Sequence, residues 1–210
     1  MLIPTTTRPT CYRYNFSITI IRGRSQRERI EAIVEAVAEA GPETSVLAHD
    51  ETQVKRFPPL RRQWQPVGKQ RPVRVPEEND ERTLYGTLDL TSGETHVHDY
   101  EKGRSDFTIE YLESVLEKTE GQVLLVWDQA TWHTSGKVTE WLSKCDRIDT
   151  YFLPVRSPET NPMEDLWREL KEQVATCLER SLDALLESCQ EYFEELSQKR
   201  ALQTAGVYLS

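Results

Sequence analysis

The sequence predicts a mixed α/β sheet with helices packed on it. Three observations support this fold class: helical spacing of apolar residues at 105–120, two β-rich runs joined by a turn within 82–100, and the continuous apolar run QVLLVWD, which ends at Asp128. A run that is apolar throughout is typical of a strand buried on both faces. Helices alternate with strands after residue 105, as expected when helices cover a sheet.

The other elements follow from periodicity and from turn residues. Helical spacing over residues 26–40 ends at Gly41, and β-forming residues then predict a strand over 44–54. Ser105 is expected to cap the helix that it begins. The remaining predicted elements are strands at 82–90, 94–100, 122–128 and 149–154 and helices at 105–120, 136–145, 162–177 and 181–199.

We divide the chain into a lead-in at 1–25, one domain at 26–200 that begins with a linker helix at 26–40, and a C-terminal tail at 201–210. A length of 210 residues suits one core. No apolar run approaches a membrane span. The four cysteines lack zinc-site spacing, which indicates reduced thiols in a cytoplasmic protein with no membrane partner.

Charge is divided unevenly along the chain. The net charge is −9, yet residues 1–75 hold 13 basic against 7 acidic side chains, and the remainder is strongly acidic. A basic first third is compatible with a phosphate-facing surface, and equally with chance. The charge therefore permits a nucleic-acid partner without requiring one.

Three acidic residues lie in or at the ends of predicted strands and helices, where each carboxylate has either a structural or a ligand-binding role. Asp50 lies in or at the end of a predicted strand, where an edge position or a turn onset would explain it alone. Asp128 ends a buried strand, so it either holds a ligand at the carboxyl end of that strand or starts a turn. Glu164 completes a capping box in which Asn161 is the N-cap and Pro162 is the first helical residue.

Taken together, the three acids predict a metal site. Carboxylates packed closely without compensation repel one another and raise each other's pKa. A divalent cation removes that repulsion, and an all-oxygen ligand set suits Mg²⁺ or Mn²⁺ better than zinc. Such clusters hold the paired ions of many nucleases and polymerases.

Four segments carry a family resemblance: VLAHDETQV, RRQWQPVGKQRPV, VLLVWDQATWHTSGKV and YFLPVRSPETNPMEDLWRELK. In this order they resemble the catalytic core of the DDE transposases, in the mariner-like superfamily and its bacterial insertion-sequence branch. The resemblance covers about residues 26 to 175. It departs from the family at Gln129, where Asn is common, at Arg156, where an aromatic residue is common, and in one additional residue between Asp128 and Glu164.

The resemblance implies a ribonuclease-H-like fold, related to that of retroviral integrases. It implies that Asp50, Asp128 and Glu164 bind two Mg²⁺ ions, for which Mn²⁺ can substitute. The ions would promote nicking of DNA at the element end and then transfer of the freed 3′-hydroxyl to target DNA. The Asn161 cap would aim Glu164 at the ions.

The resemblance also implies partners. Double-stranded DNA, both terminal repeats and target, is the expected substrate, and the family suggests a homodimer. Relatives carry N-terminal helix-turn-helix domains that match nothing in this sequence, so we expect a separate DNA-binding chain or a gene fragment. The expected DNA contacts are basic side chains and one histidine, which could instead steady the site: Arg61, Arg62, Lys69, Arg71, Arg74, His133 and Arg156.

Other interpretations stay open at this point. The chain is either a DNA strand-transferase or, as an alternative, an inactive remnant that binds DNA or transposase subunits; a nuclease of the same fold is a third reading. His96 and His98 share one strand face, as metal ligands can, but no third ligand is near them in sequence. A solvated strand face is therefore the favoured interpretation of these two histidines.

Overall fold

The computed structural model describes residues 24–56, 66–67, 80–175 and 181–207. None of the helices within these ranges is long and apolar enough to span a bilayer. The strands are β1 (Thr44–Lys55), β2 (Glu81–Asp89), β3 (Thr95–Tyr100), β4 (Gln122–Trp127) and β5 (Ile148–Phe152). The helices are α1 (Arg24–Glu39), α2 (Ser105–Lys118), α3 (Gly136–Leu142), α4 (Pro162–Val174), α5 (Leu182–Glu195) and α6 (Gln198–Thr204), with a 3₁₀ turn at Pro158–Thr160.

The five strands form one sheet in the order β3-β2-β1-β4-β5. The β1–β2 and β2–β3 pairs are antiparallel, whereas β1–β4 and β4–β5 are parallel. The predicted hairpin is confirmed: the Thr91 N–H donates to Asp89 Oδ1 at 2.7 Å, and Gly93 closes the turn with φ of 79°. The predicted mixed α/β sheet with helices packed on it is therefore confirmed.

The sheet separates two apolar layers. On one face α1, α4, α5 and α6 pack against a core that includes Val46 and Ala48 of β1. On the other face α2 and α3 pack against a core that includes Leu47. Because side chains alternate between the faces of a strand, Asp50 points to the first layer and Glu51 to the second.

The start of α2 differs from the prediction. The helix begins at Ser105, but Arg104 is its N-cap and no side chain caps it. The Ser105 hydroxyl instead donates to the Trp132 carbonyl at 3.3 Å. The expected Ser105 cap is therefore wrong, because its oxygen joins α2 to the loop after β4.

The two ends of the described chain also differ from the predicted division. The single helix expected at 181–199 is two helices, since Ser197 begins α6 by accepting the Arg200 N–H at 3.4 Å. Helix α6 crosses the expected boundary at residue 200, and Ala201 and Leu202 are buried in the core. Residues 201–207 thus pack as part of the domain. At the other end α1 begins at Arg24, and residues 1–23 lie outside the described ranges.

Gly86 lets α4 approach the sheet. It lies on β2 opposite Asp50, and a β-carbon built there would come within 2.6 Å of Met163 Cε and of the Trp167 ring. Both of these α4 side chains are buried. The absence of a side chain at Gly86 is therefore what allows α4, which carries Glu164, to pack this closely.

Replacing Gly86 by alanine is expected to destabilise the fold by about 1–3 kcal/mol, because α4 must shift or its side chains must leave their rotamers. Urea denaturation of wild type and G86A measures this free energy of unfolding. Gly136→Ala is the matched control, since its added β-carbon meets nothing within 4 Å. A loss of stability in G136A as large as that in G86A would contradict the packing argument.

Candidate active site

The three acidic residues singled out from the sequence line one cavity of about 210 Å³. Asp50 lies within β1, Asp128 directly follows β4, and Glu164 is in the first turn of α4. The parallel register pairs Ala48 with Val126, so two residues further on Asp50 and Asp128 lie side by side. The fold thus brings together three acids that are spread over residues 50 to 164 of the chain.

Asn161 fixes the start of α4 relative to β1. Its Oδ1 accepts the Met163 N–H at 3.1 Å, which caps the helix, and its Nδ2 donates to the His49 carbonyl at 3.0 Å. The Asn161 backbone N–H donates to the Pro158 carbonyl at 2.9 Å, so Glu164 does not fill the reciprocal half of a capping box. The predicted N-cap is confirmed, and the Glu164 carboxylate is left to the cavity that it lines.

The surroundings of Asp50 disfavour the ionised form of its carboxyl group. Its side chain is 8% exposed, and its Oδ2 is buried with no hydrogen-bond partner among the described residues. Burial, followed by the negative charges of Glu164, Glu51 and Asp128, raises the pKa of Asp50 to about 8. Asp50 therefore favours a proton or a cation at neutral pH.

His133 lies between two carboxylates. Its Nδ1 is 2.8 Å from Asp128 Oδ1, and its Nε2 is 2.7 Å from Glu51 Oε1. Burial lowers the pKa of the imidazole, but its hydrogen bonds to Asp128 and Glu51 outweigh burial and raise the pKa to about 9. His133 is 1% exposed with both ring nitrogens engaged, so the expected contact with DNA phosphate does not fit this ring. Its other expected role, steadying the site, does.

Glu51 is the polar residue of the site that the sequence analysis missed. Its Oε1 also accepts the Trp132 Nε1–H at 3.0 Å and lies 3.4 Å from His49 Nε2. Burial raises the pKa of this carboxyl, but His49 and His133 outweigh it, so the pKa is well below its usual range. Glu51 could have been found from the alternation of side chains along a strand, because this alternation places His49 and Glu51 together on the face opposite Asp50.

Asp128 receives two hydrogen bonds on one oxygen. Its Oδ1 accepts the Ala130 N–H at 2.9 Å as well as the His133 bond. Burial raises the pKa of this carboxyl, but the bonds from His133 and Ala130 outweigh burial and lower it overall. The turn-onset interpretation and the ligand interpretation of Asp128 are therefore compatible, because the turn uses only Oδ1.

Two groups of side chains could hold a metal ion. Within the described ranges, the group whose ligand atoms lie within 4.8 Å of one another is His49, Glu51 and His133. In that group Glu51 Oε1 lies 2.7 Å from His133 Nε2, and both histidines are buried. Within the described ranges the three cavity acids do not form such a compact group, but their donors are all oxygen, which suits Mg²⁺ or Mn²⁺.

A family profile described as DDE superfamily endonuclease matches residues 45–185, more than half of the chain. The chain belongs to this superfamily. All three cavity acids fall inside the matched range. The resemblance noted in the sequence is thereby confirmed.

This DDE superfamily member is similar to two curated proteins, one of which is named for an insertion element. It is 26% identical over 156 residues to "Insertion element IS630 uncharacterized 39 kDa protein" of Shigella sonnei, which covers 73% of the chain and 46% of the relative. It is 43% identical over 49 residues to "Uncharacterized protein y4pE/y4sA" of Sinorhizobium fredii, covering 23% of the chain and 33% of the relative. The chain thus spans less than half the length of these relatives.

Solved structures share the fold of this DDE superfamily chain. The Mos1 transposase paired-end complex with left transposon end aligns with a TM-score of 0.69 at 15% identity, covering 98% of this chain and 63% of that one. The catalytic domain of Mos1 mariner transposase aligns with a TM-score of 0.63 at 12% identity, covering 87% and 85%. These alignments confirm the predicted ribonuclease-H-like fold class.

The other residues singled out from the sequence fall into three sets. Arg156 is exposed, adopts a φ of 59°, and lines the same cavity as the three acids. His96 and His98 lie on β3 and do not belong to the three-residue ligand group found in the described ranges. The predicted DNA contacts that lie outside the described residues are Arg61, Arg62, Lys69, Arg71 and Arg74.

Asp50→Asn is expected to change how the stability of the metal-free protein depends on pH. The pKa of about 8 in the folded state lies above the usual value of 3.8 for an aspartate, so the folded state binds the extra proton and wild type loses stability as pH rises between these values. The amide carries no charge at this position. The melting temperature of D50N relative to wild type should therefore increase with pH over this window in EDTA.

Saturating Mg²⁺ or Mn²⁺ should raise the melting temperature of wild type by about 5 °C or more and leave that of D50N unchanged. Thermal unfolding followed by circular dichroism measures both effects. Asp149→Asn, at an exposed position on β5, is the matched control and should behave as wild type. A pH-independent difference between D50N and wild type, or equal stabilisation of both by the cations, would contradict this account of Asp50.

Proposed function

We propose that this chain is a catalytic domain for divalent-cation-dependent cleavage and strand transfer of DNA, as in DNA transposition. Asp50, Asp128 and Glu164 would hold the cations, Mg²⁺ or its substitute Mn²⁺, in a two-ion site. The observation that carries the proposal is the buried Oδ2 of Asp50, which has no hydrogen-bond partner among the described residues and lies in a cavity that two further acids line. An ionised oxygen in that position is unfavourable unless a cation meets it.

The donor set fits hard cations. The three acids offer only oxygen ligands, which Mg²⁺ and Mn²⁺ prefer. Among the described residues that line the cavity, Arg156 is the one basic side chain against three acids, so the cavity carries excess negative charge. That excess would repel DNA phosphates in the absence of cations.

When bound there, divalent cations would activate the attacking oxygen and stabilise the leaving oxygen of a phosphodiester displacement. The chain's own residues prepare the cavity for this chemistry. Asp50 supplies a buried carboxylate, and Asn161 holds the helix that presents Glu164. Arg156, beside the acids, is positioned to contact a DNA phosphate.

The proposed partner is double-stranded DNA, both the terminal repeats of an insertion element and its target. This part rests on the family and on fold neighbours that are described as transposase complexes with transposon ends. A paired-end complex joins two ends, so we extend the proposal to a homodimer. Recognition of the ends by a helix-turn-helix, in this protein or in a separate chain, belongs to the same proposal.

Asp128→Asn is expected to abolish cleavage of terminal-repeat DNA in Mg²⁺ or Mn²⁺. The amide keeps the Oδ1 that accepts from His133 and Ala130, but it is a poor cation ligand. Loss of several kcal/mol of transition-state stabilisation corresponds to a rate reduction of about 1,000-fold or more. Gel analysis of end-labelled DNA measures nicking, and an oligonucleotide with a free 3′-hydroxyl measures strand transfer.

The control for this experiment is Asp149→Asn, the same substitution at an exposed position away from the cavity. It should cut and join DNA as wild type does. Equal cutting by wild type and D128N would reject the metal-site assignment. DNA binding by wild type with no cutting in either cation would favour the inactive remnant over the enzyme.

DNA binding should depend on the basic segment after the first acid. If Arg61 and Arg62 contact phosphates, their joint replacement by glutamine should reduce the slope of log K against log salt by about 2. Fluorescence anisotropy with labelled duplex DNA over a salt series measures this slope. An unchanged slope would show that these two side chains do not contact phosphate.

A further inference from the structure

We propose that Glu51 and His133 are positioning residues, which hold one oxygen of Asp128 and so determine that the other oxygen binds the cation. The inference rests on the proposed function, because it concerns the same cavity. It assigns a role to two residues whose side chains are at most 7% exposed and that are not among the described residues lining the cavity.

A continuous line of hydrogen bonds joins Glu51 to Asp128 through His133. Glu51 Oε1 lies 2.7 Å from His133 Nε2, and His133 Nδ1 lies 2.8 Å from Asp128 Oδ1. The ring of Trp127 stacks on His133 with centroids 4.5 Å apart. The imidazole is therefore held at both nitrogens and on one face, which leaves it a single orientation toward Asp128.

The two carboxylate oxygens of Asp128 differ in their hydrogen bonds. Its side chain is 51% exposed at the rim of the cavity, where a carboxylate turns freely unless something holds it. The bonds from His133 and from the Ala130 N–H both fall on Oδ1. Oδ2 is thus the oxygen presented to a cation, and ligation by Asp128 would be through one oxygen.

Glu51 anchors this line of hydrogen bonds without binding the cation. Its side chain is 7% exposed, and the Trp132 Nε1–H and His49 hold the same Oε1 that meets His133. Glu51 also lies on the face of β1 opposite Asp50. It cannot reach the ions that Asp50 would bind, so it acts only through His133.

The experiment measures Mn²⁺ affinity of the purified full chain without DNA, by electron paramagnetic resonance of free Mn²⁺. His133→Asn keeps an N–H near the Nδ1 position, facing Asp128, whereas His133→Gln places its N–H near the Nε2 position, facing Glu51. Loss of a side chain that orients a metal ligand typically weakens affinity about 10–100-fold. We expect H133Q to show that loss, H133N to stay within about 5-fold of wild type, and Glu51→Gln to weaken binding by about 3–10-fold.

Two further variants separate the possible failures. His98→Asn, at an exposed position on β3, is the matched control and should bind Mn²⁺ as wild type. If D128N also binds as wild type, the cation site itself is wrong, and the proposed function fails with it. If D128N loses affinity while H133Q binds as wild type, or while H133N and H133Q lose affinity equally, only the positioning role is overturned. Circular dichroism checks folding, and should H133Q not fold, unchanged affinity in E51Q overturns the inference.

Discussion

The parallel pairing of β1 with β4 is the constraint on which the site depends. Its register places Asp50 beside Asp128, although 77 residues separate them in the sequence. Parallel strands need a long crossover connection, and here β2, β3 and α2 fill it. The same excursion brings Gly86 opposite Asp50, where it admits α4 and with it Glu164.

Adjacent acids on β1 illustrate how the side of a strand decides the fate of a carboxylate. Asp50 and Glu51 are both largely buried, yet the pKa of the first is raised and that of the second is lowered. Glu51 meets two histidines and the Trp132 indole, whereas Asp50 meets other carboxylates. Burial alone does not set the charge state of these two carboxyl groups. The charged and polar side chains on each face of the sheet decide it.

The sheet, the hairpin, the N-cap at Asn161 and the meeting of three acids at one cavity are predictable from the sequence, because each depends on local pattern or on a specific motif. The sequence is not sufficient to predict contacts between distant segments. Nothing local shows that the Ser105 hydroxyl meets the Trp132 carbonyl, or that Glu51 meets His133. Most of α6 lies in the segment predicted as a C-terminal tail, because its apolar residues are few and their burial in the core beside α4 depends on tertiary contacts.

The bond from the Asn161 amide to the His49 carbonyl has a thermodynamic consequence. The bond forms as the chain folds and joins the first turn of α4 to β1. The conformational entropy cost of bringing Glu164 close to Asp50 is therefore part of folding and not of ligand binding. Under the proposed function, ion capture by such a preorganised cleft would differ from that of a zinc finger, in which the metal drives folding. Its speed would be governed by diffusion and by the shedding of water from the incoming ion, with no helix left to form.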